Sequence, residues 1–445
     1  MMTRDEVAKM LSRTLAYSEA DQTEIVLVTR DFSLTRFSNS HIHQNVVERN
    51  IRLTVRAIVN KKIGCADTNS LDESSIKETV DLALQIARHR SSNPDFVSLP
   101  ERVKVLGGTS FVEDTARVDP EERAQAISVI ISKASKNNLI VAGAFSTGAI
   151  TVGVANSLGV EAIDQLSEAS LSVVTMSENS SGYADFLSKD VKEINPEAIA
   201  DIAIEKALRG KNPISIDPGI YSVVLEQSAV ANLLGYLSFC GLGALSVQEG
   251  RSFMCQKFGQ RITGENITLW DDALNERTLG LPFDFEGVPK QKVILIEDGI
   301  AENVVYDSYT AHKEGKKSTG HALPPPNIHG PLPSNLFLEV GNSSLQEMIS
   351  STEKGILITR FHYLNVEDPV KTILTGMTRD GTFLIEKGKI KRGIKNLRFT
   401  QSILEALSKA EMISKDLKLK GDSFILCCVP ALKLSKFNFT GITES

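Results

Sequence analysis

Apolar positions in the first half of the chain switch between a helical and a strand period, and they make that switch twice. From Arg4 to Ala16, Val7, Met10, Leu11, Thr14 and Leu15 recur at three- and four-residue spacing, the stripe of one buried helix face. Thr3 followed by Glu6 supplies a capping box at its start. Four β-favouring runs come next: Glu24 to Thr29, Ser33 to Phe37, His41 to Glu48 and Arg52 to Asn60. Ser70 with Glu73 marks a second capped helix ending near Arg88. A second pass opens at Asp119-Pro120-Glu121-Glu122, a helix start with proline in its first turn. Strand-like runs follow around Ile140 to Phe145, Ala149 to Ala155, Val160 to Asp164 and Ser170 to Met176. A helix from Asn195-Pro196-Glu197 to Gly210 closes the pass.

The landmarks of the two passes keep step. Asn39-Ser40 returns as Asn156-Ser157, and Gly64-Cys65-Ala66-Asp67 returns as Gly182-Tyr183-Ala184-Asp185. We expect a duplicated helix–strands–helix unit over roughly 1–92 and 107–210, joined by the Pro- and Gly-bearing connector Ser91 to Gly108. The expected domains are 1–106, 107–216 and 217–445.

The second half reads differently. Tyr221 to Leu225 is a short strand, and Gln227 to Cys240 a helix whose buried stripe is Val230, Leu233, Leu234 and Leu237. Leu281 to Pro326 holds a loop (LPFDFEGVP), a hairpin, an amphipathic turn and a proline stop. The hairpin pairs Val293 to Glu297 with Ile300 to Val305 across Asp298-Gly299, two residues that both accept positive φ. Leu332 to Val340 is a strand ending at Gly341, Ser344 and Glu347 cap a helix that Gly355 closes, and Ile356 to Arg360 is a strand. A second Glu-x-Gly hairpin spans Phe383 to Ile390, followed by a helix from Gln401 to Ser414 and strands at Phe424 to Val429 and Ala431 to Lys433. The expected class is α+β, a duplicated helix–strands–helix region followed by a mostly antiparallel, β-rich C-terminal domain or half-barrel. A free sheet edge beside a cleft can pair with an extended peptide.

Composition narrows the partners. At 445 residues the chain is too long for one core. A net charge of −6 without a Lys/Arg block argues against a nucleic-acid surface. No apolar run reaches membrane-spanning length, and MMTRDEVAKM reads as a helix start, not a signal peptide. Five cysteines without a CxxC pair read as cytosolic thiols, so a cytoplasmic protein with no membrane or nucleic-acid partner is expected.

Candidate chemistry is scattered. His41 and His43 share one strand face, His312, His321 and His329 lie in or beside the loop region, and Asp284, Glu286 and Glu249 are carboxylates without a sequence partner. Cys427-Cys428 sits in an apolar run and reads as a pair of buried thiols. Gly241 and Gly243 read as a helix end rather than a phosphate cradle.

The words D-F-E-G-V, I-E-D-G-I, Y-T-A-H-K and S-T-G-H, with R-F-S-N-S-H-I-H-Q and I-G-C-A-D-T-N-S-L in the first half, give the chain a family resemblance. It resembles the TldD/TldE (PmbA) family, the two related subunits of a bacterial and archaeal zinc protease historically named modulators of DNA gyrase. In the zinc-bearing subunit, the resemblance implies H-E-x-x-x-H on the helix after the first strand of the C-terminal domain. Its histidines bind the metal and its glutamate serves as base. Counted from Val223 to Leu225, that hexapeptide falls here on Gly235-Tyr236-Leu237-Ser238-Phe239-Cys240. The family's third ligand, a cysteine, would fall near Leu417, where no cysteine stands.

The resemblance therefore implies a TldE-like subunit with no metal site and no catalytic residue of its own, Gly235, Tyr236 and Cys240 being the degenerate positions. It implies zinc in a TldD-like partner, hetero-oligomeric or homodimeric assembly, and unfolded or short peptides as substrates. Asp284, Glu286, Ser318, Thr319 and His321 are the candidate border of the cleft. Two other readings stand beside it: a stand-alone peptide-binding homodimer, and a protease active alone through a site rebuilt from Cys240 and the loop histidines.

Overall fold

The computed structural model describes residues 1–105, 107–421 and 425–443. Helix α1 (Arg4–Ala16) starts at Thr3, whose hydroxyl accepts the Glu6 N–H while the Glu6 carboxylate accepts the Thr3 N–H. Strands β1 (Gln22–Ser38), β2 (His41–Val59) and β3 (Lys62–Thr68) and helix α2 (Glu73–His89) complete the first unit. The runs expected separately on either side of Arg30 and Arg49 are continuous, because β1 is paired along its length by β2 on one side and β4 on the other. Cross-strand ion pairing of Asp31 with Arg49 carries the ladder through the polar stretch. The cap of α2 is Asp72, not Ser70: its carboxylate accepts the Ser75 N–H at 2.9 Å, and the Ser70 hydroxyl bonds to that carboxylate.

The second unit repeats the order. After the single turn α3 (Glu113–Ala116) come α4 (Pro120–Ser135), β4 (Ile140–Asn156), β5 (Glu161–Met176), β6 (Ser181–Ser188) and α5 (Pro196–Arg209). Asp119 and Asn195 cap the two longer helices, and Gly210 follows the last. Both units share one six-stranded antiparallel sheet in the order β3-β2-β1-β4-β5-β6, joined through β1 and β4. β3 and β6 are its edges.

In the second half, β7 (Gly219–Leu225) leads into α6 (Gln227–Gly241) and the short α7 (Ala244–Gln248). Strands β8 (Leu269–Asp271), β9 (Val293–Glu297) and β10 (Ile300–Ala301), helix α8 (Ser308–Lys313), strand β11 (Asn335–Leu338) and helix α9 (Leu345–Ser350) follow. The chain then runs through β12 (Lys354–Asp368), β13 (Ile373–Glu386), β14 (Lys389–Gly393), β15 (Leu397–Ser402) and the single turn α10 (Ile403–Leu407). It ends with β16 (Ala410–Ile413), β17 (Lys418–Gly421), β18 (Leu426–Val429) and β19 (Leu432–Ile442).

Two sheets result. One has the order β10-β9-β8-β11-β18-β17. In the other, β12, β7, β19, β15 and β13 pair in a closed circuit, because β13 returns to β12. That is a small barrel rather than a half-barrel, and Phe361, Phe399 and Phe437 from three of its strands share one ring cluster. Pairing is antiparallel except at β7–β12 and β11–β18.

Four expected elements change. The helix over Gln401–Ser414 is replaced by the end of β15, one helical turn and β16, because Ala410 and Ile413 pair with Leu434 and Leu432 of β19. Sheet pairing outweighs the apolar periodicity there. Gly355 lies inside β12, where a Cβ would stand 2.6 Å from the Ser222 carbonyl oxygen, and α9 already ends before Ser351. The second hairpin strand is only Ile300–Ala301, although the turn is as expected, with Asp298 at φ 48° and Gly299 at 79°. The last strand runs on to Ile442, and Phe424 lies outside the described residues. No helix among the described residues is long and apolar enough to cross a membrane.

Candidate functional site

Helix α6 is buried on one face and wet on the other. Val230, Leu233, Leu234 and Leu237 enter the main core of the second half. Ser228, Ala231, Asn232, Gly235, Tyr236 and Phe239, at helical spacing on the other side, line a cleft of about 520 Å³. Its remaining walls include Tyr183 and Asp185 of β6, Arg360 of β12 and Lys420 of β17. The cleft is therefore the meeting place of an edge strand of the first sheet and both sheets of the second half.

Among the described residues, no strand pairs with the outer edge of β6. Instead, two lysine side chains occupy its outward carbonyls: Lys206 Nζ donates to Tyr183 O at 3.2 Å and Lys420 Nζ to Asp185 O at 2.9 Å. Each lysine also has a carboxylate, Glu226 at 2.6 Å and Asp185 at 2.8 Å respectively. The Arg360 guanidinium lies 4.0 Å over the Tyr183 ring and pairs with Asp380, which accepts the Ser181 hydroxyl at 2.7 Å. Burial, with Asp185 beside it, holds the Tyr183 phenol well above its ordinary range. The Ser228 hydroxyl donates to Asp185 at 3.1 Å, but among the described residues no histidine lines the cleft to activate it.

The positions where the resemblance places H-E-x-x-x-H are split by the helix. A Cβ built on Gly235 meets no heavy atom within 4 Å, so that position opens into the cleft. Tyr236 also lines the cleft, and its hydroxyl donates to Leu364 O at 2.8 Å. Cys240 is in the core, 2% exposed, and burial pushes its thiol up to about 11. Zinc does not fit this set: Gly235 has no donor atom, the Tyr236 hydroxyl is committed to a carbonyl, and the Cys240 thiol is buried in the core away from the cleft. Leu417 lines a different cavity, between β6 and β17. Among the described residues, no three His, Cys, Asp or Glu side chains are grouped to hold a metal ion.

The residues singled out in the 281–326 stretch lie elsewhere. Asp284 accepts three backbone N–H groups, those of Glu286, Val288 and Ala322, each at 2.9 Å. Glu286 accepts the Ser308 N–H at 3.0 Å and Arg56 Nη2 at 3.2 Å, and Arg56 also binds Glu24 at 2.8 Å. Loop and first-half sheet are thus tied through one guanidinium. Burial pushes Asp284 up to about 8, with Glu286 adding to the effect, and pushes Glu24 up to about 7.

Ser318 donates to Tyr306 O at 3.2 Å. Thr319, His321 and Asp271 form a chain of hydrogen bonds, 2.9 Å at each link, that has the composition of a hydrolase triad. His321 and Asp271 are fully buried, however, and burial with Lys290 nearby pushes the imidazole below its usual value. The Thr319 hydroxyl also accepts the Tyr306 N–H at 2.8 Å, so the chain fastens the loop. His41, His43, His312 and His329 are exposed, while Cys427 and Cys428 are buried. Sequence reasoning did not find Arg360 or Lys420, whose sequence surroundings carry no motif. Asp185 was visible only as a repeat landmark.

An α+β protein with a duplicated sheet, a small barrel and a donor-poor helix in its cleft defines the class. Family comparison makes it specific: residues 218–441 match the PmbA/TldA metallopeptidase C-terminal domain, 23–87 its domain 1 and 69–211 its central domain. The chain belongs to the PmbA/TldD metallopeptidase family. It is 30% identical over 273 residues to an uncharacterized protein of Methanocaldococcus jannaschii, a match covering 60% of this chain and 62% of that one. A metalloprotease TldD homolog of Buchnera aphidicola is 30% identical over 53% of this chain and 46% of its own length. Metalloprotease PmbA of Escherichia coli O157:H7 is 23% identical over 82% of this chain and 80% of its own. The matches thus span 62% of the first of these relatives and about half of the TldD homolog. In fold, the chain superposes on TldE from Thermococcus kodakarensis with a TM-score of 0.87 at 21% identity, over 98% of this chain and 99% of that one.

Proposed function

We propose that this chain is the zinc-free, PmbA/TldE-like subunit of a metalloprotease assembly, and that it presents a cleft to flexible peptides beside a zinc-bearing TldD-like partner. One observation carries the reading: the cleft is open at Gly235, yet none of the positions that bear metal ligands and base in the zinc subunit offers a usable donor there. A scaffold that keeps the cleft without the ligands supports a role in holding and presenting. The β6 edge supports an extended peptide as the guest, since a strand laid there would replace lysine side chains on the Tyr183 and Asp185 carbonyls with backbone N–H groups. Related subunits commonly assemble through related surfaces, which makes a zinc-bearing relative the natural mate.

Mixing this protein with its TldD-like relative tests the reading. The expected result is a stable hetero-oligomer by size-exclusion chromatography that cleaves an unstructured peptide faster than either chain alone. A relative that forms no complex and cleaves at a rate indifferent to this chain refutes it.

A further inference from the structure

A second cavity, of about 430 Å³, lies between the first-half sheet and the loop that follows Leu279. Its size falls in the range of small-molecule sites, roughly 300–1,000 Å³. Val28, Ile150 and Val152 form the sheet wall, and Leu281, Phe283 and Leu323 the wall opposite. It continues outward from a buried apolar cluster that already joins the two halves through Val26, Val154 and Phe283.

The charged groups on this cavity are unequal. Asp284 has both carboxylate oxygens engaged by backbone N–H groups. His321 is tied to Asp271 and Thr319. Arg52 pairs with Asp67 at 3.1 Å, and Arg30 lies 5.3 Å over the Phe32 ring. Lys290 is different: its hydrogen-bond partner is the Ser334 hydroxyl at 3.4 Å, and the nearby Asp271 carboxylate is already held by His321 and the Asn335 N–H. A half-buried ammonium on an apolar wall is stabilised by an anion, and the apolar wall by a chain that displaces water.

We propose that this cavity binds a small aliphatic carboxylate, with its chain between Ile150, Val152 and Phe283 and its carboxylate on Lys290. The site is separate from the α6 cleft and stands whether or not the subunit reading holds. Such a carboxylate is supplied by a free fatty acid or by an acylated apolar amino acid, and the same recognition serves both.

Calorimetric titration of the full chain with octanoate, octanamide and N-acetyl-leucine tests this. One equivalent of octanoate or N-acetyl-leucine is expected to bind, and octanamide about tenfold more weakly or worse, because it cannot pair with the ammonium. The tighter of the two acids identifies the source. Lys290→Gln is expected to weaken the acids about tenfold while leaving octanamide unchanged. Ile150→Trp, which fills the cavity from a half-buried position, is expected to abolish all binding. Wild-type protein that binds neither acid at millimolar concentration, or binds acid and amide equally, overturns the proposal. So does acid binding that is unaffected by both substitutions.

Discussion

The two copies of the helix–three strands–helix unit agree at one repeated residue and part company three residues later. Gly64 and Gly182 do the same work: a Cβ on either would stand 2.1 Å from a helix carbonyl oxygen, that of Ala83 in the first copy and Ala203 in the second. Only glycine lets the last strand and the closing helix approach so closely. Asp67 and Asp185 share the next landmark but not the job. Asp67 pairs with exposed Arg52 on an open edge, whereas Asp185 faces the second half of the protein and holds Lys420 and Ser228 in the α6 cleft. Duplication keeps the residues that pack a unit and frees those on its edge, and the neighbouring domain decides what an edge residue does.

The comparison breaks first at the glycines. Gly64→Ala and Gly182→Ala are each expected to cost about 3 kcal/mol of stability, the upper end of ordinary overpacking, and to do so equally. Urea denaturation of the two variants measures it, and a large cost in only one copy would mean that the units do not pack alike. The aspartates should separate instead. Asp185→Asn leaves Lys420, with only 8% of its side chain exposed, without its counter-ion, and a loss of about 3 kcal/mol is expected. Asp67→Asn, on the exposed pair, should cost under about 1 kcal/mol. Equal losses would remove the distinction.

A third measurement sharpens the contrast through pH. Glu24, in the first unit alone, is buried against Arg56 and has its pKa pushed up to about 7 from an ordinary 4.5. The folded protein holds that proton more tightly than the unfolded chain does. The associated stability is therefore complete below about pH 4.5 and is lost as pH rises through about 7. Glu24→Gln should flatten this part of the stability profile by on the order of 2 kcal/mol between pH 5 and 8. An unchanged slope would place the titration elsewhere, Asp284 being the next candidate because its pKa is raised to about 8.

Much of this molecule is written locally. Thr3 with Glu6, Asp119 with Pro120, and Asn195 with Gly210 set helix ends through hydrogen bonds within a few residues, so they were legible from the chain alone. The duplication was legible as well, because a repeated close contact demands a repeated glycine. So was the Asp298-Gly299 turn, where backbone sterics select the residues. What the resemblance implies at Gly235, Tyr236 and Cys240 rests on residue identity alone.

Tertiary structure decided the rest, because the deciding partners are distant in the chain. Ala410–Ile413 became a strand only because β19 lies beside it, and the barrel closed only because β13 returns to β12. Asp284, Thr319 and His321 were candidates for chemistry by type, but burial and engaged hydrogen-bond partners made them fasteners of a loop. Conversely, Lys420 and Arg360 carried no local signal and acquired their place in the cleft by facing β6 across 235 and 177 positions of sequence, from Asp185 and Tyr183 respectively. A residue's chemistry is a property of its side chain. Whether that chemistry is exposed, paired or sealed away is set by what the fold puts beside it.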